Sequence, residues 1–118
     1  MRIKIKSYGD PGSITDERIG FEVLSDCDLK FFAVHYTYLT DNGGFYNKPM
    51  HTYWFSPLIV QAGDKVVLYT KKGVNSIKRN SDGTTTYFFY WGLNSPLLNK
   101  EKDGIVLAEM AGWQTKWQ

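Results

Sequence analysis

The fold class is decided by Val60-Gln-Ala-Gly-Asp-Lys-Val-Val-Leu-Tyr-Thr70, which is followed after a polar gap by Thr86-Tyr-Phe-Phe-Tyr-Trp-Gly92. Gly63 and Asp64 suit a tight turn, and the β-branched and apolar residues after them suit a strand that is covered on both faces. The second run is apolar on both faces as well. We therefore predict two consecutive strands of an all-β core.

Turn residues divide the rest of the chain into apolar or alternating runs, a rhythm typical of an all-β sandwich or barrel. Seven candidate strands follow, at residues 2–8, 18–24, 29–39, 51–60, 65–70, 84–91 and 104–110. The only helical piece expected is a short turn near 95–102. Seven strands favour an immunoglobulin-like β-sandwich of two mostly antiparallel sheets.

The run at 29–39 is predicted to be a central strand, because large side chains alternate on both of its faces. A chain of 118 residues can bury one core without disulfides or metals, so we expect a single domain over residues 1–118. The residues expected in that shared core are Val67, Leu68, Phe88 or Phe89, and Ile105 or Leu107.

Composition excludes some classes of function. The net charge of +2 is far from the strongly basic balance of a dedicated nucleic-acid binder. The single Cys27 cannot form an internal disulfide, which agrees with a reducing compartment. The first residues alternate charge with isoleucine, and no apolar segment follows, so neither a signal peptide nor a membrane span is predicted and the expected location is cytoplasmic.

Candidate catalytic and metal-binding residues are few. His35 and His51 are the only histidines, and no further Cys or His could complete a zinc site, so we predict no metal and no cofactor. Cys27 lies between Asp26 and Asp28, whose charges should raise the pKa of the thiol and disfavour the reactive thiolate. We predict no catalytic residue.

Two alternatives remain open. A small enzyme could form its site around His35 and His51 if a carboxylate such as Asp41 or Glu22 joined them in a pocket. A carbohydrate-binding module would need Trp113, Trp117 or Tyr46 to lie coplanar at the surface. The two tryptophans follow Gly112 in a polar tail, where they are either exposed or pin the tail to the sandwich.

The order of several pieces resembles the lamin-tail-like domain, an immunoglobulin-like sandwich. The pieces are Phe21-Glu-Val-Leu24, Asp28-Leu29, Val60 to Thr70, Tyr90-Trp-Gly92, Pro96-Leu-Leu-Asn99 and Asp103-Gly-Ile-Val-Leu107, within residues 18–110. Where family members often have Trp before the Asn, this chain has Leu98. The resemblance implies an accessory module without catalytic activity that binds or tethers other molecules.

A local excess of positive charge marks the loop that we predict between the two strands quoted first, from Lys71 to Arg79. It contains Lys71, Lys72, Lys78 and Arg79, separated by Asn and Ser. Loops on a rigid scaffold often form binding surfaces. We therefore predict that these cations contact a protein or a polyanion, nucleic acid included, and that the chain is a non-catalytic binding or tethering module.

Overall fold

A computed structural model describes residues 1–118 and contains ten strands, one short 3-10 turn and no α-helix. The strands are β1 (Ile3–Gly9), β2 (Arg18–Val23), β3 (Cys27–Asp28), β4 (Phe32–Tyr38), β5 (His51–Trp54), β6 (Ile59–Val60), β7 (Lys65–Lys71), β8 (Ser76–Arg79), β9 (Thr85–Leu93) and β10 (Asp103–Glu109). The all-β class is confirmed. No helix has the length and hydrophobicity needed to cross a bilayer.

The strands form two main sheets around one core. A five-stranded sheet has the order β1-β2-β7-β9-β8, and a three-stranded sheet has the order β10-β4-β5, while β3 and β6 form a separate ribbon. All pairings are antiparallel except that of β7 with β9. Buried residues of both sheets belong to one cluster, so the arrangement is sandwich-like and forms a single domain.

The turn before β7 forms as predicted. Gly63 has a φ of 93°, which costs glycine little. The carboxylate of Asp64 accepts hydrogen bonds from the backbone N–H of Gln61 and of Thr85, both at 2.9 Å. The second bond joins the start of β7 to the start of β9, so a local turn also sets the position of a distant strand.

The prediction that the two quoted strands are consecutive is wrong. The chain leaves β7, crosses over β9 at residues 72–75, forms β8, and returns through a hairpin as β9 between β7 and β8. The crossover lies so close to the ring of Tyr90 that a Cβ at Gly73 would collide with it. Parallel pairing of β7 with β9 follows, because a strand and a hairpin intervene between them.

The expectation that β7 is covered on both faces is also wrong. Val66, Leu68 and Thr70 are buried, whereas Val67 and Tyr69 alternate with them and are half-buried. No layer of structure packs on that second face, so apolar residues there remain partly exposed. In the core prediction, Leu68 is confirmed and Val67 is not.

The remaining core predictions concern β9 and β10, and the structure decides between Phe88 and Phe89. Phe89 is buried, and Phe88 points the other way because side chains alternate along a strand. Ile105 and Leu107 are both partly buried against the core cluster.

Strand boundaries differ from the prediction in the middle of the chain. The run at 29–39 begins with a 3-10 turn, Leu29–Phe31, whose N-terminus is capped by the carboxylate of Asp28. β4 then lies at the centre of the three-stranded sheet, as expected, but only its first half is covered on both faces. The run at 51–60 divides into β5 and β6, and residues 95–102 form bends and turns without a helix.

Phe55 lies at the centre of the core, directly after β5. Its ring meets those of Phe21, Tyr53 and Phe89 edge to face, with centroid distances of 6.1, 5.1 and 5.1 Å. Aromatic pairs prefer this geometry, because the positive ring edge meets the negative ring face. Phe55 therefore joins β2, β5 and β9 across the two sheets.

A buried carboxylate ties two loops together, and nothing in the sequence indicated it. Glu17 is 1% exposed. Its two oxygens accept backbone hydrogen bonds from Gly12 at 2.7 Å, from Leu97 at 2.7 Å and from Leu98 at 2.9 Å. Three charge-assisted bonds compensate for the desolvation of the carboxylate and hold the 97–98 segment against the β1–β2 loop.

Ionisation of the Tyr36 hydroxyl should contribute to a loss of stability at high pH. Burial, followed by the hydrogen bond that its hydroxyl donates to Asp103 at 2.9 Å, raises the pKa of Tyr36 to about 12. Because an unfolded tyrosine has a pKa near 10, the stability from this group is complete below about pH 10 and is lost as the pH rises through about 12. Melting temperatures from pH 9 to 12 should fall less steeply for Tyr36→Phe than for the wild type. Equal slopes would contradict this.

Candidate functional site: the outer face of the five-stranded sheet

The five-stranded sheet has one face in the core and one in contact with solvent, and we call the second the outer face. Strand alternation and the pairing register define it. Its residues on β2, β7, β8 and β9 are Arg18, Gly20, Glu22, Lys65, Val67, Tyr69, Lys71, Ser76, Lys78, Thr86, Phe88 and Tyr90.

A stacked pair of tyrosines occupies the middle of the outer face. The rings of Tyr69 and Tyr90 are 5.3 Å apart between centroids and inclined by 10°. The Nζ atom of Lys71 lies 5.1 Å from the centroid of Tyr69, where the ring face attracts a cation. Gly73 in the crossover packs against Tyr90. These contacts give the lysine and the crossover a defined position on the sheet.

A shallow groove adjoins this pair. It has a volume of about 270 Å³ and lies where Gly20 has no side chain to fill the face. The cations that line it are Lys6, Arg18 and Lys65. Arg18 is held in place, since its Nη1 donates to Asp10 and to the carbonyl of Asp16, both at 2.9 Å. The groove is thus open, polar at its rim and positively charged.

Unpaired positive charge is concentrated on this sheet. Five of the 14 lysines and arginines form ion pairs with carboxylates. Six of the other nine lie on the five-stranded sheet or its crossover: Lys6, Lys65, Lys71, Lys72, Lys78 and Arg79.

Two exposed carboxylates near these cations form ion pairs, while Asp82 lies near Lys65 without forming one. Asp10 pairs with Arg18 at 2.9 Å, and Glu22 pairs with Lys4 at 3.6 Å. Asp82 accepts a backbone hydrogen bond from Thr84 at 2.9 Å. Cations without an ion pair outnumber such carboxylates on this sheet, so the net charge of the surface is positive.

The prediction that the four cations share one loop is wrong, because Lys71 ends β7 while Lys78 and Arg79 lie on β8. Lys71 and Lys78 point to the outer face, and Lys72 is exposed in the crossover. Arg79 points to the opposite side of β8, where its Nη1 donates to Thr85 Oγ1 at 3.1 Å. The sequence reasoning missed Lys65 and Lys6, although the alternation of Lys65, Val67, Tyr69 and Lys71 is visible in the sequence as a period of two.

The two histidines do not meet a carboxylate. His35 Nδ1 lies 2.9 Å from Thr52 Oγ1, and His35 lines a cleft whose other residues include Phe45, Pro49 and Val106 but no Asp or Glu. The ring of His51 is 6.2 Å from that of Tyr36. No group of three His, Cys, Asp or Glu side chains is arranged to hold a metal ion.

The acidic residues considered with the histidines are engaged elsewhere. Asp41 pairs with Lys102 at 2.9 Å, and Glu22 lies on the other sheet. The arrangement that the enzyme alternative requires is not formed.

Cys27 is buried in the core. Burial is the main cause that raises the pKa of its thiol, and the charges of Glu109, Asp28 and Asp26 add to the effect. The predicted direction is confirmed, although the sequence reasoning named only the two neighbouring aspartates as its cause.

The tail tryptophans behave differently from each other. Trp113 packs against Trp54 at 4.9 Å with the rings perpendicular, and against Phe31 at 5.8 Å. It therefore pins the tail to the body of the protein, while Trp117 is 83% exposed. Tyr46 stacks on Tyr38 at 5.0 Å. Trp113 is therefore engaged in an edge-to-face contact with Trp54, whereas Tyr46 lies parallel to a neighbouring ring.

Comparison of the chain with protein-family models, with curated proteins and with solved structures finds no match.

Proposed function

We propose that this protein is a non-catalytic binding module that contacts a flexible polyanion through the outer face. The observation that carries the proposal is the concentration of unpaired cations around the stacked Tyr69 and Tyr90 and the groove at Gly20. Lysines without an acidic partner remain available to a phosphate or sulfate group, and each such contact releases counterions from the polyanion.

The sheet would fix the spacing of the contacts. Lys65 and Lys71 are at the two ends of β7, about 20 Å apart for a strand of this length. Lys78 lies two strands away from β7, on the same face. A flexible chain with regularly spaced charges can follow such a surface, and the rigid strands keep the cost of ordering the lysine backbones low.

The immunoglobulin-like, lamin-tail-like relationship is part of the proposal. It is supported by the two facing sheets, by the Gly63 turn before β7 and by Ile105 and Leu107 packing from the last strand. The parallel pairing of β7 with β9 differs from the antiparallel sheets of an immunoglobulin sandwich. Under this proposal, the outer face is the binding surface of a tethering module.

The test compares two triple variants that remove the same charge. One replaces Lys65, Lys71 and Lys78 by Gln on the outer face. The control replaces Lys48, Lys100 and Lys116, which are exposed and unpaired elsewhere on the chain. With a fluorescein-labelled dT20 oligonucleotide, and with a heparin decasaccharide as the second probe, the outer-face variant should bind at least tenfold more weakly, and the salt slope of log K for the oligonucleotide should fall by about 2.

Melting temperatures of both variants should stay near that of the wild type, because exposed charges add little to stability. If both triple variants weaken binding equally, the attraction reflects net charge and no defined face. Wild-type affinity in the outer-face variant would overturn the proposal.

A further inference from the structure

The edge of the five-stranded sheet at β8 has unused backbone hydrogen-bonding groups. The amide of Asn80 donates to the carbonyl of Thr84 at 2.8 Å in the β8–β9 hairpin. Bonded pairs alternate with non-bonded pairs along an antiparallel ladder. In the observed register, Ser76 and Lys78 therefore bond to β9, whereas the N–H and C=O groups of Ile77 and Arg79 point away from it.

An apolar cleft opens beside this edge. Its volume is about 270 Å³, and it lies between the core-side residues of β8 and β9 and the segment 56–58. The apolar residues that line it are Pro57, Leu58, Ile77, Tyr87, Phe88 and Phe89. Ile77 is 58% exposed at its mouth, and the neighbouring Val74 is 86% exposed. Isolated exposed apolar residues are common, but here they adjoin both a cleft and an unpaired strand edge.

We propose that β8 binds an extended acidic peptide, which adds to the sheet as a sixth strand. The free groups of Ile77 and Arg79 would bond to the peptide backbone, as in other cases of strand addition. A peptide residue opposite Ile77 shares its face and lies at the mouth of the cleft, so it is apolar. The residues opposite Lys78 and Arg79 are acidic, because each lies beside an unpaired cation on its own face of the sheet.

Charge distinguishes this occupant from a second copy of the chain. Two β8 edges paired antiparallel through the free groups of Ile77 and Arg79 would place Lys78 of one copy opposite Lys78 of the other. Like charges opposite each other destabilise a strand pair. A peptide that pairs antiparallel should instead carry, read from its N-terminus, two acidic residues followed by an apolar one. This inference shares only Lys78 with the polyanion proposal, and it otherwise rests on the edge and the core side of β8.

The test uses a fluorescein-labelled peptide, Ser-Thr-Glu-Glu-Ile-Thr-Ser, and a scrambled control, Glu-Ser-Thr-Ile-Thr-Ser-Glu, of equal composition and charge. The peptide should shift the backbone amide resonances of Ile77 and Arg79 in an NMR titration. Arg79→Glu should weaken its binding by about tenfold or more, while the matched variant Lys100→Glu should not. Ile77→Pro should abolish binding and leave β8 paired with β9, because the amide that it removes is not bonded within the sheet.

Binding of the scrambled peptide with equal affinity would overturn the proposal, because it would show attraction of charge without strand pairing. Amide shifts confined to other strands would overturn it too. Free protein that sediments as a dimer, and that Ile77→Pro converts to a monomer, would assign the edge to a second copy instead. If Ile77→Pro does not fold, the Arg79→Glu and scrambled-peptide comparisons still decide the question.

Discussion

Replacing Phe55 with alanine should lower the free energy of unfolding by about 3–5 kcal/mol, the usual range for a large buried aromatic residue. Phe55 is 2% exposed and meets three other rings in the core. The small side chain would leave a cavity between the two sheets and remove contacts to β2 and β9 at once. Urea denaturation, followed by tryptophan fluorescence and circular dichroism, measures the change.

Trp54→Ala is the matched control one position earlier. Trp54 is 47% exposed and lies on the other side of β5, where it packs against Trp113. It also donates a hydrogen bond to the carbonyl of Lys30 at 2.7 Å. Its loss should cost clearly less than that of Phe55. An equal or larger cost for Trp54→Ala would mean that the tail contact stabilises the fold more than the central aromatic cluster does.

Glu17→Gln should lower the free energy of unfolding by about 3 kcal/mol, because an amide cannot accept three N–H bonds as a carboxylate does. Its NH2 group would meet backbone donors of Gly12, Leu97 or Leu98 that are left without acceptors. For a domain of this size the melting temperature should fall by roughly 10 °C. Hydrogen exchange should increase at Leu97 and Leu98 more than elsewhere.

Glu22→Gln makes the same chemical change at an exposed site. The carboxylate of Glu22 pairs only with Lys4, at 3.6 Å on the surface, so the free energy of unfolding should change by less than about 1 kcal/mol. Similar losses at Glu17 and Glu22 would show that the buried hydrogen bonds of Glu17 contribute little beyond its charge.

The two binding proposals assign different roles to one strand. Lys78 serves both proposals from the outer face, while Ile77 and Arg79 offer the free edge and Ile77 also lines the cleft. Changes at Lys65 and Lys71 should weaken polyanion binding and spare the peptide, and Ile77→Pro should do the reverse. A module that uses both surfaces could hold a polyanion and a protein segment together, which is how a tether would act.

The amino-acid sequence by itself determined the features that depend on neighbours along the chain. Gly63 and Asp64 form the predicted turn because glycine tolerates a positive φ and aspartate bonds to nearby amides. Turn spacing placed most strands correctly, and the all-β class follows from it. The excess of cations near β8 was also visible, since charge can be counted without a structure.

Only the tertiary structure decided which side of each strand meets solvent and which segments meet across the chain. Periodicity shows that two faces differ, but Val67 and Leu68 are both apolar, and the packing of the three-stranded sheet decides that only Leu68 is buried. Two of the three backbone donors to Glu17 lie 80 and 81 residues away, and the insertion of β9 between β7 and β8 leaves β8 at the edge of the sheet. Contacts between distant segments depend on the packing of the whole core, and no local pattern contains that information.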